Sequence, residues 1–434
     1  MKPIKQEKIN IITLGCSKNL VDTETLMKQI AANKIKIVHN EDNSDARTVI
    51  INTCGFIADA KEESVNTILS HIRAKEEGII DSVYVMGCLS ERYKEELEAE
   101  MPEVDAYFGV YDQKQIIESL QLDYKKNLIG EQLLTTPKHY AYLKISEGCD
   151  RTCSFCAIPL FKGKHKSVEK EILIKNATQL VKGGVKELML IAQDLTYYGI
   201  DIYKKNALYD LLMELSDING LEWIRLHYAY PGNFPFEILD AIKERSNICK
   251  YIDIPIQHIS DNVLRNMRRA HTASATRKLI QTIREKVPEM AIRTTMLVGH
   301  PGEEERDFEE LLRFTEESKF DRLGVFTYST EEGTYGYSRF ADTITQEIKQ
   351  SRADKLMDLQ QGISFNINQK RVGETHRVII DRKEKNHYIG RTQFDSPDVD
   401  NEVILNARNL KPGEFYQARI IGADSFELFA EIAE

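Results

Sequence analysis

Glu147-Gly148-Cys149-Asp150-Arg151-Thr152-Cys153-Ser154-Phe155-Cys156 sets three cysteines within eight residues, separated by three residues and then by two. One short loop of this kind can direct three sulfurs at one metal centre. A cube of four irons held by three thiolates keeps one iron open for a further ligand. Zinc sites instead favour paired Cys-x-x-Cys units and four ligands. Here the pair Cys153 and Cys156 is joined to a third cysteine, with no second pair nearby. His165 is close, but the basic run Lys162 to Lys166 around it reads as a solvated or anion-facing turn. The spacing therefore points to an iron–sulfur cluster before zinc or disulfides.

Working outward, the first 135 residues alternate short apolar runs with helical stretches. Lys8–Gly15, Thr48–Thr53 and Ser82–Gly87 are rich in Ile or Val, as buried parallel strands are. Helices are expected over about 19–32, 57–75 and 91–101, and a further short strand over 106–110. This alternation predicts a doubly wound, flavodoxin-like parallel sheet. Cys16, Cys54 and Cys88 each follow one of the three strands, beside Gly15, Gly55 and Gly87. In an open parallel sheet those turns share the carboxyl edge, where ligands bind. Buried core cysteines and a phosphate site are the alternatives, and the chain has no Gly-x-Gly-x-x-Gly or Walker pattern to support the second. Three ligands again leave one position open, so the chain is expected to hold two clusters.

From about Tyr140 the pattern becomes strand, loop, helix, repeated six times. The strands are expected at 140–145, 187–191, 223–228, 251–256, 293–298 and 323–327. Six such units make a partial barrel with its chemistry at the carboxyl ends of the strands, and the three-cysteine loop follows the first of them. Residues 343–361 are patterned as a connecting helix. From about Asn366 the runs turn Val-, Ile- and aromatic-rich, which predicts a five-stranded antiparallel barrel. Cys249 lies outside both cysteine sets and reads as a buried thiol. Arg268 and Arg269 read as a solvated face, with pairing to a substrate carboxylate as the alternative.

The whole chain carries 58 basic and 68 acidic residues, a net charge of −10. That balance disfavours broad binding to nucleic acid and direct DNA binding. Residues 366–434 hold ten Lys or Arg and twelve Asp or Glu, net −2, which suits a basic protein surface better than a phosphate backbone. The odd cysteine total of seven, and a charged start at Met1 to Asn10 containing Pro3, predict a reducing, cytoplasmic setting. No run approaches the length of a membrane span.

The order Cys-x-x-x-Cys-x-aromatic-Cys resembles the signature of radical S-adenosylmethionine (SAM) enzymes. The whole chain resembles the methylthiotransferases, through Leu14-Gly15-Cys16-Ser17-Lys18-Asn19, Asn52-Thr53-Cys54-Gly55-Phe56-Ile57, Met86-Gly87-Cys88-Leu89-Ser90 and Gly148 through Cys156. The resemblance implies three domains: an N-terminal methylthiotransferase domain over 1–135, a radical SAM domain over 136–365 and a TRAM β-barrel over 366–434. It implies two [4Fe-4S] clusters, one on Cys16, Cys54 and Cys88 and one on Cys149, Cys153 and Cys156, with SAM on the second. Phe155, Gln193, Asp194, Gly299 and Pro301 are candidate SAM contacts, and no side chain is assigned as catalytic. Ile158-Pro159-Leu160-Phe161-Lys162-Gly163 and Arg225-Leu226-His227-Tyr228-Ala229-Tyr230-Pro231 look like the branch that modifies an aspartate of small-subunit ribosomal protein S-twelve (RimO-like). The other branch acts on a transfer RNA adenosine (MiaB-like).

For the ribosomal branch the implied partners are S-twelve, free or on the ribosome, an electron donor and a sulfur source. SAM cleavage would open the aspartate β-carbon, and the first cluster would hold the sulfur. Two other classes compete: a non-catalytic iron–sulfur or zinc scaffold, and an electron-transfer flavoprotein.

Overall fold

Ile- and Val-rich segments make the first sheet. In the computed structural model, which describes residues 8–433, five parallel strands take the order Lys36–His39, Lys8–Thr13, Thr48–Thr53, Ser82–Gly87, Ala106–Tyr107. This is the 2-1-3-4-5 order of a flavodoxin-like fold. The central strand Thr48–Thr53 is buried along its whole length, which is why it reads as a continuous apolar run. The edge strand Lys36–His39 was not expected. Its two apolar residues stand between Lys36 and His39, and no residue of it is fully buried. Two apolar clusters, one centred on Ile51, Ile68 and Val85 and one on Ile9, Leu26 and Ile50, pack the two faces. The helix expected over 91–101 is two pieces, Cys88–Arg92 and Lys94–Glu100, broken at Tyr93. Met1–Glu7, read above as part of a charged start, lie outside the described residues.

The chain divides into two compact units. The first holds this sheet, and also takes in Glu147–Asp150 and Ala157–His165. The second holds Pro137–Ser146, Arg151–Cys156 and everything from Lys166 onward. Its six strands, Tyr140–Lys144, Glu187–Ile191, Trp223–Leu226, Ile248–Gln257, Ala291–Val298 and Arg322–Thr327, are parallel and pair in chain order. Sequential parallel pairing with helical crossovers of one hand curls a sheet into a partial barrel.

The helix Gln346–Lys370 runs farther than its pattern suggested, and the terminal barrel begins at Thr375. Five strands close it in the order Thr375–Glu384, His387–Thr392, Glu402–Leu405, Glu427–Ile432, Phe415–Ala423. The barrel is not wholly antiparallel, because Glu402–Leu405 pairs in parallel with Glu427–Ile432. The loop 406–414 carries the chain past this edge, so the last hairpin returns alongside it. Val378, Ile380, Val403, Leu405, Ala418, Ile420 and Leu428 fill the interior.

Within the second unit the barrel is tied to the six-stranded sheet by buried charge. Arg391 donates to Glu187 Oε2 at 2.8 Å and to Asp381 Oδ2 at 2.7 Å, while Arg225 donates to Glu187 Oε1 at 2.8 Å. Arg322 pairs with Asp395, and Arg293 Nε lies 3.3 Å from Asp400. The side chains of Asp395 and Asp400 are inaccessible, so part of the tail's acidity is internal. No helix among the described residues is long and apolar enough to cross a membrane.

Candidate active site

The reversal in strand order falls between Lys8–Thr13 and Thr48–Thr53, and an open α/β sheet binds its ligand at such a point. Cys16 and Cys54 follow these two strands, and Cys88 follows the adjacent Ser82–Gly87. Cys16 is exposed, while Cys54 and Cys88 are 8% and 6% exposed. The turns are tight. A Cβ on Gly15, which has φ +86°, would lie 2.9 Å from Cys54 Sγ. One on Gly55 would lie 2.8 Å from the Cys88 carbonyl carbon, and one on Gly87, at φ +102°, 2.4 Å from Asn52 Oδ1. Only glycine lets these three loops close on one another. Asn19 ties them by donating to Leu14 O and Thr53 O, each at 3.0 Å, and its Oδ1 accepts from Cys88 Sγ at 3.5 Å.

Burial raises the Cys54 thiol and pushes Cys88 up to about 12, with Lys162 opposing the second shift. A bound metal removes such protons outright. No three His, Cys, Asp or Glu side chains among the described residues are set to hold a single ion. A cluster spreads its thiolates more widely than one zinc does, and the cradle of three cysteines, each beside a glycine, suits that larger group.

Lys162 and His165 are not in a solvated turn. Both are buried, at 3% and 4% exposed. Lys162 Nζ lies 3.4 Å from Asp22 Oδ2 and 3.4 Å from Glu147 Oε2, and Tyr111 donates to Lys162 O at 2.6 Å. Cys149 belongs to this same unit, with its N–H donating to Gly163 O at 3.0 Å. Gly148, at φ +81°, leaves no room for a side chain, since its Cβ would come 2.2 Å from Lys164 O.

Cys153 and Cys156 lie in the second unit, joined by a 3.2 Å bond from Cys156 N–H to Cys153 O. Of the two residues between them, Ser154 is clamped on three sides. Its N–H donates to Met267 O at 2.9 Å, its carbonyl accepts from Gly336 N–H at 2.7 Å, and its Oγ lies 2.9 Å from His300 Nε2. Arg269, read as solvated, instead donates to Cys153 Sγ at 3.4 Å and to Pro255 O at 2.6 Å. Arg269 and Arg151 both lie over the Tyr230 ring, at 4.4 and 4.1 Å from its centroid. Arg268 is exposed, as expected.

The candidate SAM contacts gather at the carboxyl ends of the six strands. Phe155 packs on Val263, Met267, Leu297 and Tyr328. Gln193 is half-buried just past Glu187–Ile191. Asp194 is committed to protein partners, accepting from Thr196 N–H and Oγ1 at 2.9 and 2.6 Å and from Arg151 Nε at 3.0 Å. Gly299 takes φ +77° and its N–H donates to Glu303 Oε2 at 2.6 Å. Pro301 is buried, and its carbonyl lies 3.0 Å from His300 Nδ1. Cys249 is 1% exposed, beside Trp223 and Tyr251. The sequence reading gave no role to the side chains of Ser154 and His300, and it took Lys162 and Arg269 for residues of solvated surfaces. A serine between two clustered cysteines was the one local signal; the other three depend on partners far along the chain.

Residues 8–109 match the uncharacterized protein family UPF0004, residues 143–315 the radical SAM superfamily, and residues 372–433 the TRAM domain. A ribosomal protein uS12 methylthiotransferase RimO of Cytophaga hutchinsonii is 55% identical over 432 residues, covering 99% of each chain. The protein of the same name from Flavobacterium psychrophilum is 55% identical, covering 100% of this chain and 99% of its own. That from Bacteroides thetaiotaomicron is 52% identical, covering 99% of each. Among solved structures, the radical SAM methyltransferase TsrM of Kitasatospora setae, with cobalamin and a [4Fe-4S] cluster bound, aligns with a TM-score of 0.54 at 12% identity. The alignment covers 74% of this chain and 72% of that one, and at this identity the likeness is one of fold.

Proposed function

The chain belongs to the RimO family of ribosomal protein uS12 methylthiotransferases, and from that premise we propose that it adds a methylthio group to the β-carbon of an aspartate of uS12. The observation that carries this reading is the placement of Cys16, Cys54 and Cys88 at the ends of three adjacent strands, at the point where strand order reverses. A second metal-binding set in a chain that already has the radical motif suits a reaction with two jobs, opening a C–H bond and delivering sulfur. An aspartate β C–H, beside a carboxylate, is too weakly acidic for ordinary acid–base chemistry. Two [4Fe-4S] clusters with SAM supply the one-electron chemistry that bond requires.

Cys149, Cys153 and Cys156 would hold the cluster that binds SAM, and Cys16, Cys54 and Cys88 the one that holds sulfur. Ser154 and its three partners fix the backbone between Cys153 and Cys156. Arg269 places a guanidinium on the Cys153 sulfur, where hydrogen bonds tune a cluster's potential. Phe155 and Gly299 suit the borders of SAM, Phe155 by its apolar packing and Gly299 by a backbone turn without a side chain. Gln193, Asp194 and Pro301 complete the proposed set, with Asp194 acting through Arg151. The domain limits proposed are 1–135, 136–365 and 366–434. The setting is cytoplasmic, with an electron donor and a sulfur source as partners.

The test is anaerobic reconstitution with iron and sulfide, then SAM, reductant and purified uS12, read by peptide mass spectrometry. A methylthio mass gain on one aspartate is the expected result. Production of 5′-deoxyadenosine without that gain would move the substrate to transfer RNA or an assembled ribosomal particle. Neither product would leave a non-catalytic scaffold.

A further inference from the structure

Two segments flank the loop that carries Cys153 and Cys156. Met267 O accepts from Ser154 N–H at 2.9 Å, and the next residue is Arg268. On the other side Gly336 N–H donates to Ser154 O at 2.7 Å, and the preceding residue is Tyr335. The two segments meet. The Arg268 guanidinium lies 4.4 Å from the centroid of the Tyr335 ring, and that of Arg339 lies 6.0 Å from it. Arg265, one turn before Arg268 on the helix Asp261–Asn266, is exposed as both of these are. Among the described residues no carboxylate pairs with Arg265, Arg268 or Arg339. Tyr335 and Tyr337 are 40% and 52% exposed. Arg268 also takes φ +55°, at the turn that ends its helix, where glycine is the usual residue. An arginine there costs backbone energy that the turn itself does not require.

We propose that this face, formed by Arg265, Arg268 and Arg339 with Tyr335 and Tyr337, is the docking surface for a small acidic electron-carrier protein that reduces the iron–sulfur group on the Cys153 loop. The inference rests on the function proposed above, because cleaving SAM to a radical consumes one electron that a partner must deliver. In this step the carrier gives up one electron and the group held by Cys149, Cys153 and Cys156 takes it; no bond or proton is exchanged. Charge selects the partner. The chain's net charge of −10 repels an acidic protein over most of the surface. Here three guanidiniums stand without internal partners, and they would steer an acidic carrier to this face. A basic ribosomal protein would be repelled here and suits the acidic tail instead. Three cations are also too few to hold nucleic acid against that net charge. Exposed arginine and tyrosine are what a protein interface favours, whereas a small chemical reductant needs neither. Position selects the same partner. Main-chain bonds tie both segments to Ser154, and Arg269 donates to Cys153 Sγ at 3.4 Å, so a carrier docked here sits against the loop that receives the electron.

The experiment uses the full chain, reconstituted anaerobically, with two acidic carriers as probes, a flavodoxin and a plant-type ferredoxin. Binding is measured by titration calorimetry at low and high salt, and reduction of the chain's iron–sulfur groups by stopped-flow absorbance. Arg268→Glu with Arg339→Glu should raise the carrier's dissociation constant about tenfold and slow its electron delivery in step, and the parent's affinity should fall as salt rises. Reduction by dithionite, which needs no docking, should be unchanged. Lys278→Glu with Arg313→Glu makes the same change of charge on exposed cations of the helices Ala273–Lys286 and Glu305–Ser318, and should leave carrier binding near that of the parent. Should the charge reversal prevent folding, Arg268→Gln with Arg339→Gln tests the same loss. A response to one carrier alone supports the face and names the redox group of its partner. Parent-like binding of both carriers by the Arg268 and Arg339 variants overturns the proposal, as does a parent that binds neither. An equal loss in the Lys278 and Arg313 variant overturns it too, by reducing the effect to net charge. So does a loss confined to ribosomal RNA binding, which would make the face an RNA contact. A parent that a carrier reduces, yet that makes no methylthio product with dithionite, would remove the proposed function and leave the docking surface standing.

Discussion

Ser154 Oγ and His300 Nε2 are 2.9 Å apart and both residues are inaccessible, so the loop between Cys153 and Cys156 is pinned from the carboxyl end of Ala291–Val298. The His300 ring is itself wedged edge-on between Tyr328 and Phe340, at 5.1 and 5.6 Å between centroids. His300→Phe keeps the ring and deletes the bond, leaving a buried hydroxyl at a cost of about 1–3 kcal/mol. The expected outcome is a folded protein that loads less iron and makes 5′-deoxyadenosine about tenfold more slowly. Iron assay with a parallel melting curve separates this from general unfolding.

The joint between sheet and barrel rests on Arg391, which bridges Glu187 of one to Asp381 of its own barrel. Both Arg391 and Glu187 are nearly or wholly buried, and burial opposes their charge while their mutual attraction preserves it. Arg391→Met should destabilise by roughly 3–5 kcal/mol, because Glu187 and Asp381 each lose a partner. Arg391→Lys should recover only part, since one ammonium cannot replace a fork that reaches both carboxylates. Thermal melting and limited proteolysis around 371–375 would check both.

How far such features could be read from the chain depends on where their partners lie. The three rim cysteines were legible because strand, glycine and cysteine recur together at three turns. Lys36–His39 was not, because an edge strand half open to water carries too few apolar residues to announce itself. Lys162 looked solvated among Lys164, His165 and Lys166, since Asp22 is 140 residues away. Arg269 likewise meets Cys153 across 116 residues and Arg391 meets Glu187 across 204. Local pattern reports the elements; it does not report which charges the fold buries together.

Acid should destabilise the second unit. Burial lowers His258 and His271 to about 3 and His300 to about 4, each from 6.5. A histidine with a depressed folded pKa stabilises fully above its unfolded value and loses that contribution as pH falls toward the folded one. Glu303, raised to about 7 by burial, works in the opposite direction, binding a proton in the fold between about 4.5 and 7. The buried Asp400 carboxyl, also raised by burial, works with Glu303, but the downward shifts of the three histidines are the larger set, so the melting temperature should fall from pH 6.5 down to 4. His271→Asn should flatten that decline, and Glu303→Gln should steepen it.

The two cysteine sets should separate by function. Cys153→Ala should abolish SAM cleavage, measured as 5′-deoxyadenosine. Cys54→Ala should spare some cleavage while stopping methylthio transfer, measured on the uS12 peptide. Full product from Cys54→Ala would sink the two-cluster scheme.

Arg269 offers a finer test of the Cys153 set. Its guanidinium donates to Cys153 Sγ at 3.4 Å, anchored by Pro255 O and by the Tyr230 face. A hydrogen-bonded positive charge stabilises the more negative, reduced state of a cluster and so raises its potential. Arg269→Gln should therefore shift the midpoint to more negative values and slow SAM cleavage at a fixed reductant strength. A stronger reductant should restore the rate, which a merely distorted site would not allow. Arg269→Lys keeps the charge but loses the planar stacking on Tyr230, so its potential should fall between the two. Potentiometric titration followed by paramagnetic resonance reads the shift directly, and an unmoved midpoint in Arg269→Gln would confine this residue to packing.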